Sequence, residues 1–244
     1  MILITGDIHA NQRKWMREIE PNLKKGDVLI VAGDFGFGFW DGVYWPQEMF
    51  FDHIAEQEYT LLFIDGNHEH FDKLNSLPES QWNGGKVHRI RHNVIHLMRG
   101  EIFKIEDVSI FAFGGGFSLD KERRTEGISW FEQEMPTDDE YLAARNNLNA
   151  CDNRVDYIIT HTCPTESVAY LATYGGHGIS KNVVEERPLT DFLQVLTNNL
   201  DYKIHYFGHF HIDKEIWRNQ IAIYNAIREL KTGKVIHQWE PYEC

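Results

Sequence analysis

"LLFIDGNHEHF" (residues 61–71) runs from five strand-like residues into a glycine, then an amide, an imidazole and a carboxylate in direct succession. A short apolar run bounded by a turn residue suits a strand buried on both faces, as in a sheet covered by helices. Four other runs end in a similar way: "ILIT" before "GDIH", "VLIVA" before "GDFG", "YIIT" before "HTCP" and "IHYF" before "GHFH". For "GNHE" alone, two readings stay open. It is either a turn into a helix capped by the Asn67 amide, or a metal site with a proton donor beside it.

Between the strands lie helix candidates at residues 11–20, 46–57, 138–150 and about 185–199. Thr137 suits the N-cap of the third, with Glu140 at the capping-box offset. Pro188 either breaks the fourth or marks its first turn. The middle stretch "VIHLMRGEIFKIEDVSIFAFGGG" predicts three strands in an antiparallel meander, turning at Arg99-Gly100 and Glu106-Asp107. The C-terminal end is again β-rich. The pattern predicts an α/β protein of two packed sheets with outer helices, in one domain over residues 1–244. Residues 114–139 form the longest irregular segment, and a loop of that length in a compact domain is more often functional than idle.

The chain has 244 residues, 42% hydrophobic and 13% aromatic, which suits a sizeable core. Acidic residues outnumber basic ones 37 to 24, for a net charge of −13. That charge argues against coating long nucleic acids, while leaving room for a pocket made positive by divalent cations. Cys151, Cys163 and Cys244 show no CxxC spacing, and no apolar run approaches the length of a membrane span. A cytoplasmic protein without a membrane partner is the expectation.

The five strand ends carry the chemistry. Asp7 and His9 are two apart and can project to one side as their strand ends. Asp34, Asn67, His161, His209 and His211 follow on the other four. In a mostly parallel sheet such ends gather on one edge, where α/β proteins bind ligands. Two Asp, one Asn and four His, with His68 in addition, make a nitrogen and oxygen donor set suited to Mn²⁺, with Fe, Ni²⁺ or Zn²⁺ as alternatives. Seven ligands exceed what one catalytic ion with an open position takes, and suit two ions sharing a carboxylate.

The ordered set GDxH, GDxG, GNH[ED], a lone His and GHxH resembles the calcineurin-like metallophosphoesterases, from Asp7 to His211. The resemblance implies a four-layer α/β/β/α sandwich, with two mixed sheets flanked by helices. It implies Asp7, His9 and His211 on one metal ion, Asn67, His161 and His209 on the second, and Asp34 bridging. It further implies in-line attack on phosphorus by a water activated between the ions, with His68 as the catalytic proton donor.

One departure stands out. The Ser/Thr phosphatases of that superfamily carry a GDxxDRG-type motif, whereas this chain reads "GDFGFGF", with Phe37 and Gly38 where the histidine-supporting Asp and the phosphate-gripping Arg would stand. What orients His68 is therefore open. The segment "GGGFSLDKERRTEGISWFEQEMP" is similar to one in small bacterial and phage metallophosphoesterases, and it nominates Arg124, then Arg123, as a replacement phosphate clamp. His177, in "YGGHGIS", faces substrate or sits in a mobile loop. Glu69 and His70 are expected at a helix start on its polar side, His205 packed within its strand, and Cys163 as a buried filler. His53, His88, His92, His96 and His237 are expected to be structural or solvated. The aromatic cluster from Phe35 to Trp45 reads as packing. With the acidic balance, the resemblance implies a phosphoesterase, expected to be a phosphomonoesterase acting on a small phosphorylated substrate. The rival readings are a phosphodiesterase or nuclease on small nucleotides, and a non-catalytic protein-binding scaffold.

Overall fold

In the apolar runs, odd and even residues face different layers, because successive side chains of a strand point to opposite faces. In β1 (Ile2–Thr5), Ile2 and Ile4 enter the central core while Leu3 enters an outer one. The same split divides Ile30 from Leu29 and Val31 in β2 (Val28–Val31), and Leu62 from Leu61 and Phe63 in β3 (Thr60–Phe63). This computed structural model describes residues 1–240 except 41, 43, 176–183 and 218, so His177 lies outside the described residues.

The remaining strands are β4 (Glu79–Trp82), β5 (Gly85–Arg89), β6 (Val94–Leu97), β7 (Glu101–Ile105), β8 (Val108–Phe113), β9 (Tyr157–Thr160), β10 (Ile204–Phe207), β11 (Lys214–Ile216), β12 (Gln220–Ala222), β13 (Ala226–Glu229) and β14 (Val235–Gln238). They form an eight-stranded sheet, β14-β13-β1-β2-β3-β6-β5-β4, and a six-stranded sheet, β11-β12-β10-β9-β8-β7. β1, β2 and β3 are parallel, with Ile2 opposite Val28 and Val28 opposite Thr60. β8, β9 and β10 are parallel in the second sheet. Both sheets also hold antiparallel pairs, so both are mixed.

The helices are α1 (Gln12–Lys14), continued by a π-helical turn at Trp15–Ile19, α2 (Gln47–Ala55), α3 (Phe71–Asn75), α4 (Asp138–Asn149), α5 (Thr165–Tyr174) and α6 (Arg187–Asn199). Trp15, Phe50, Phe51, Ile54 and Leu74 carry α1 to α3 onto the outer face of the first sheet. Ala144 and Leu148 of α4, with Leu189, Phe192, Leu193 and Leu196 of α6, cover the second. α5 joins them through Leu171, against Cys163 and Phe207. The result is the α/β/β/α sandwich. Each fully buried Leu or Phe in these cores contributes roughly 1.5–3 kcal/mol. Thr137 and Glu140 form the expected capping box, and Pro188 lies in the first turn of α6.

The three-stranded meander does not form as expected. β6 pairs with β3 and β5 in the first sheet, and only β7 and β8 make an antiparallel hairpin, in the second. Arg99-Gly100 is a crossover between sheets, and Gly100 takes a left-handed φ of 78° there. Periodicity reads the strands correctly but carries no information on which sheet each joins. Helix α5 and the β4–β5 hairpin were also not anticipated, whereas α3 begins where a helix start is expected, after His70.

Arg99 ties this crossover to the site-bearing edge. Its Nε and Nη2 donate to Asp65 Oδ2 at 2.8 and 2.6 Å, and Nη2 also donates to the carbonyl of Gln133 at 2.8 Å. Both charged groups are buried. Burial alone would raise the Asp65 carboxyl, but Arg99 and His96 hold it well below the usual carboxylate range. Removing one member of such a pair leaves a buried charge unpaired. Arg99→Met is therefore expected to cost about 3–5 kcal/mol, read by urea unfolding. A loss under about 1 kcal/mol, as for a surface pair, would contradict this role.

Candidate metal centre

The parallel strands deliver their C-terminal ends to one edge, and the residues just past them converge there. His9 Nε2 and His211 Nε2 are 2.9 Å apart, and His211 Nε2 lies 3.7 Å from Asp7 Oδ2. On the other side His161 Nε2 is 3.1 Å from Asn67 Oδ1, 3.2 Å from His209 Nδ1 and 3.3 Å from Asp34 Oδ1. Asp34 lies between the two sets: Oδ1 faces His161, and Oδ2 faces His9 Nδ1 at 3.7 Å and His68 Nε2 at 3.9 Å. All seven residues nominated as ligands are thus brought together.

The backbone is bent to achieve this. His9, Asp34, His209 and His211 all have left-handed φ, between 49° and 66°. Such a conformation costs a non-glycine residue roughly 1–2 kcal/mol, and it persists where surrounding contacts over-determine it. Asp34 has such contacts: its carbonyl accepts from Ile8 and His9 N–H at 2.9 and 2.8 Å, and its Oδ1 from His68 N–H at 2.8 Å. Glycine allows the close approach. A Cβ on Gly66 would sit 2.1 Å from Asp34 Oδ1, and one on Gly33 2.2 Å from His161 Nδ1.

The donor set fits cations. Asp7 Oδ2 is buried without a hydrogen-bond partner among the described residues. His161 Nδ1 donates to the Ala32 carbonyl at 3.0 Å, which leaves Nε2 as a lone pair turned toward the other donors. Three acid and imidazole groupings here have atoms close enough for one ion: Asp7–His9–His211, His9–Asp34–His68 and Asp7–Asp34–His161. Burial alone would lower His161, yet the Asp34 and Asp7 carboxylates raise it to about 10. Burial works to raise Asp34, but the facing rings of His161, His68 and His9 hold it well below the ordinary range.

His68 is oriented by Arg124. The guanidinium Nη1 lies 3.0 Å from His68 Nδ1, and Nη2 lies 3.4 Å from Nε2. A guanidinium can only donate, so in the shorter contact Nδ1 accepts, and the ring proton belongs at Nε2, toward Asp34. Arg124 is itself held by Asp120 Oδ1 at 2.7 Å and the Ser129 carbonyl at 3.1 Å. Burial, helped by His9 and Arg124, lowers His68 to about 4. Arg123 is exposed, as the last residue of a short 3₁₀ turn.

Some expectations need correction. Glu69 is not on a polar helix face: it is 1% exposed, and its carboxylate accepts from the N–H groups of Phe35 and Phe37, fixing the turn after Asp34. Burial and the nearby Asp34 carboxylate push its pKa well up. Asn67 does not cap α3, whose N-cap is His70. His88 and His96 are a buried pair, 3.2 Å apart at Nδ1, with His96 Nε2 3.2 Å from Asp65. His205 Nε2 meets Thr160 Oγ1 at 2.7 Å inside its strand. Burial raises the Cys163 thiol well above its ordinary value, in line with a filler. Lys14 was missed: it is buried, donates to the Asp7 carbonyl at 2.7 Å, and lies over the Tyr224 ring. Burial lowers it to about 8.

The family model for calcineurin-like phosphoesterases matches residues 1–213. No curated protein matches the chain. Among the described residues no helix is long and apolar enough to cross a membrane. If Asp34 is the group common to both halves of the centre, Asp34→Asn is expected to lower bound Mn²⁺ sharply while the fold survives, as measured by elemental analysis and circular dichroism. Undiminished metal content would contradict that place for Asp34.

Proposed function

Because the chain belongs to the calcineurin-like phosphoesterase family and is thereby a metal-dependent phosphoesterase, we propose that it hydrolyses small phosphate monoesters at a two-ion centre. The observation that carries this reading is Asp34, whose two carboxylate oxygens face separate sets of donors. In this reading Asp7, His9 and His211 hold one divalent ion, Asn67, His161 and His209 the other, and Asp34 both. Manganese suits the mixed nitrogen and oxygen donors, with Fe, Ni²⁺ or Zn²⁺ as alternatives. When bound, two such ions supply Lewis acidity that activates water and neutralises phosphate charge.

The chain's own residues supply the rest. His68, with its proton at Nε2 directed toward the centre, donates a hydrogen bond or proton to the leaving oxygen. Arg124 rests on His68 and is within reach of a phosphoryl group seated there, which a guanidinium grips through two parallel N–H donors. It stands in for the Arg that "GDFGFGF" lacks. A further fixed cation beside two metal ions favours a dianionic monoester over a monoanionic diester. The net charge of −13 disfavours long polyanions as substrates.

With Mn²⁺ supplied, p-nitrophenyl phosphate is expected to turn over faster than bis-p-nitrophenyl phosphate. Faster turnover of the diester would favour the phosphodiesterase reading instead. In the same assay His68→Ala is expected to keep its metal and to lose roughly 10²–10⁴-fold in kcat. An unchanged kcat would remove His68 from the donor role.

A further inference from the structure

Two residues outside the donor set touch the second half of the centre, and a third stands behind one of them. Glu186, 5% exposed just before α6, places Oε1 3.3 Å from His209 Nε2, and the same oxygen accepts from Phe117 N–H at 3.3 Å. Ser118, 1% exposed, accepts from Asn67 Nδ2 at 3.1 Å through its Oγ. Its hydroxyl lies 2.7 Å from Glu134 Oε2, and its N–H donates to Glu134 Oε1 at 2.9 Å. Glu134 is 1% exposed.

These contacts have a direction. A carboxylate only accepts, so Glu186 draws the His209 proton to Nε2 and leaves Nδ1 as the lone pair turned toward His161. The Ser118 hydroxyl is committed to donating to Glu134, so its oxygen can only accept from Asn67. The Asn67 atom on Ser118 must then be Nδ2, and Oδ1 must face the centre. Two buried acids from distant parts of the chain thus set which atoms of two candidate ligands carry free lone pairs.

We propose that Glu186, and Glu134 acting through Ser118, are positioning residues that set the affinity of the ion held by Asn67, His161 and His209. The proposal rests on the two-ion reading above. It also gives the irregular segment 114–139 a role, since that segment supplies Phe117, Ser118 and Glu134. The ion on Asp7, His9 and His211 receives no such support from these residues, so their loss separates the two ions. A purely structural role would weaken both ions together.

The test is Mn²⁺ titration of wild type, Glu186→Ala, Glu186→Gln and Ser118→Ala. Stoichiometry is read by calorimetry, and spin coupling between the ions by electron paramagnetic resonance. Wild type is expected to take two ions and give a coupled signal. Glu186→Ala and Ser118→Ala are expected to keep one ion at wild-type affinity, bind the other roughly 10–100-fold more weakly, and lose the coupled signal at limiting metal. Glu186→Gln retains an acceptor oxygen for His209 and is expected to recover part of the loss. Ser118→Ala removes a single hydroxyl and guards against a Glu186 variant that fails to fold. Two ions of unchanged affinity in Glu186→Ala and Ser118→Ala, or equal weakening of both ions, would overturn the proposal alone. One ion or none in wild type would overturn the two-ion reading and the proposal with it.

Discussion

The burial of one carboxylate, Asp34, constrains the architecture of the site. A buried carboxylate is tolerated only where charges and hydrogen bonds compensate its lost hydration. Here His161, His9 and His68 face its oxygens, and backbone N–H groups from two other strand ends bind its carbonyl and Oδ1. Those contacts join the ends of β1, β2 and β3 to the β9 end in the other sheet. The two sheets are therefore held in register at this edge by the same group that offers one oxygen to each half of the centre.

The left-handed backbone at His9, Asp34, His209 and His211 follows from the same demand. Side chains leaving parallel strands would diverge along the sheet edge, and sharp turns after β1, β2 and β10 help bring them back to a common point. Four such conformations in non-glycine residues imply a strain of several kcal/mol at roughly 1–2 kcal/mol each. Glu69 and Arg99 show how the surroundings offset it: one holds the turn after Asp34 by its backbone N–H groups, and the other anchors Asp65 two residues before Asn67. Stability and site geometry are coupled through these buried polar groups, beyond the apolar cores.

The strands that carry the donors were legible in the sequence because their signal is local: an apolar run, a glycine, then a donor. The donor residues were legible for the same reason, and the capping box of α4 rests on two residues three apart. What the sequence hid is non-local. Nothing in "EIFKI" or "VIHL" says which sheet either joins, so the meander was misassigned. Glu69 looks like any acid at a helix start until the turn after Asp34 folds over it. Arg124 was nominated from its segment, but its contact with His68, 56 positions away, depends on how the loop packs. Glu134 and Glu186 gave no signal at all, because a buried acid behind a ligand has no fixed spacing from it.

The central claim is that the two oxygens of Asp34 serve two separate cation sites. The most direct measurement is anomalous X-ray scattering from crystals of the protein grown with Mn²⁺. Two peaks are expected, one beside Asp7, His9 and His211 and one beside Asn67, His161 and His209, with the Asp34 carboxylate between them. A single peak, or none within bonding distance of Asp34, would contradict it.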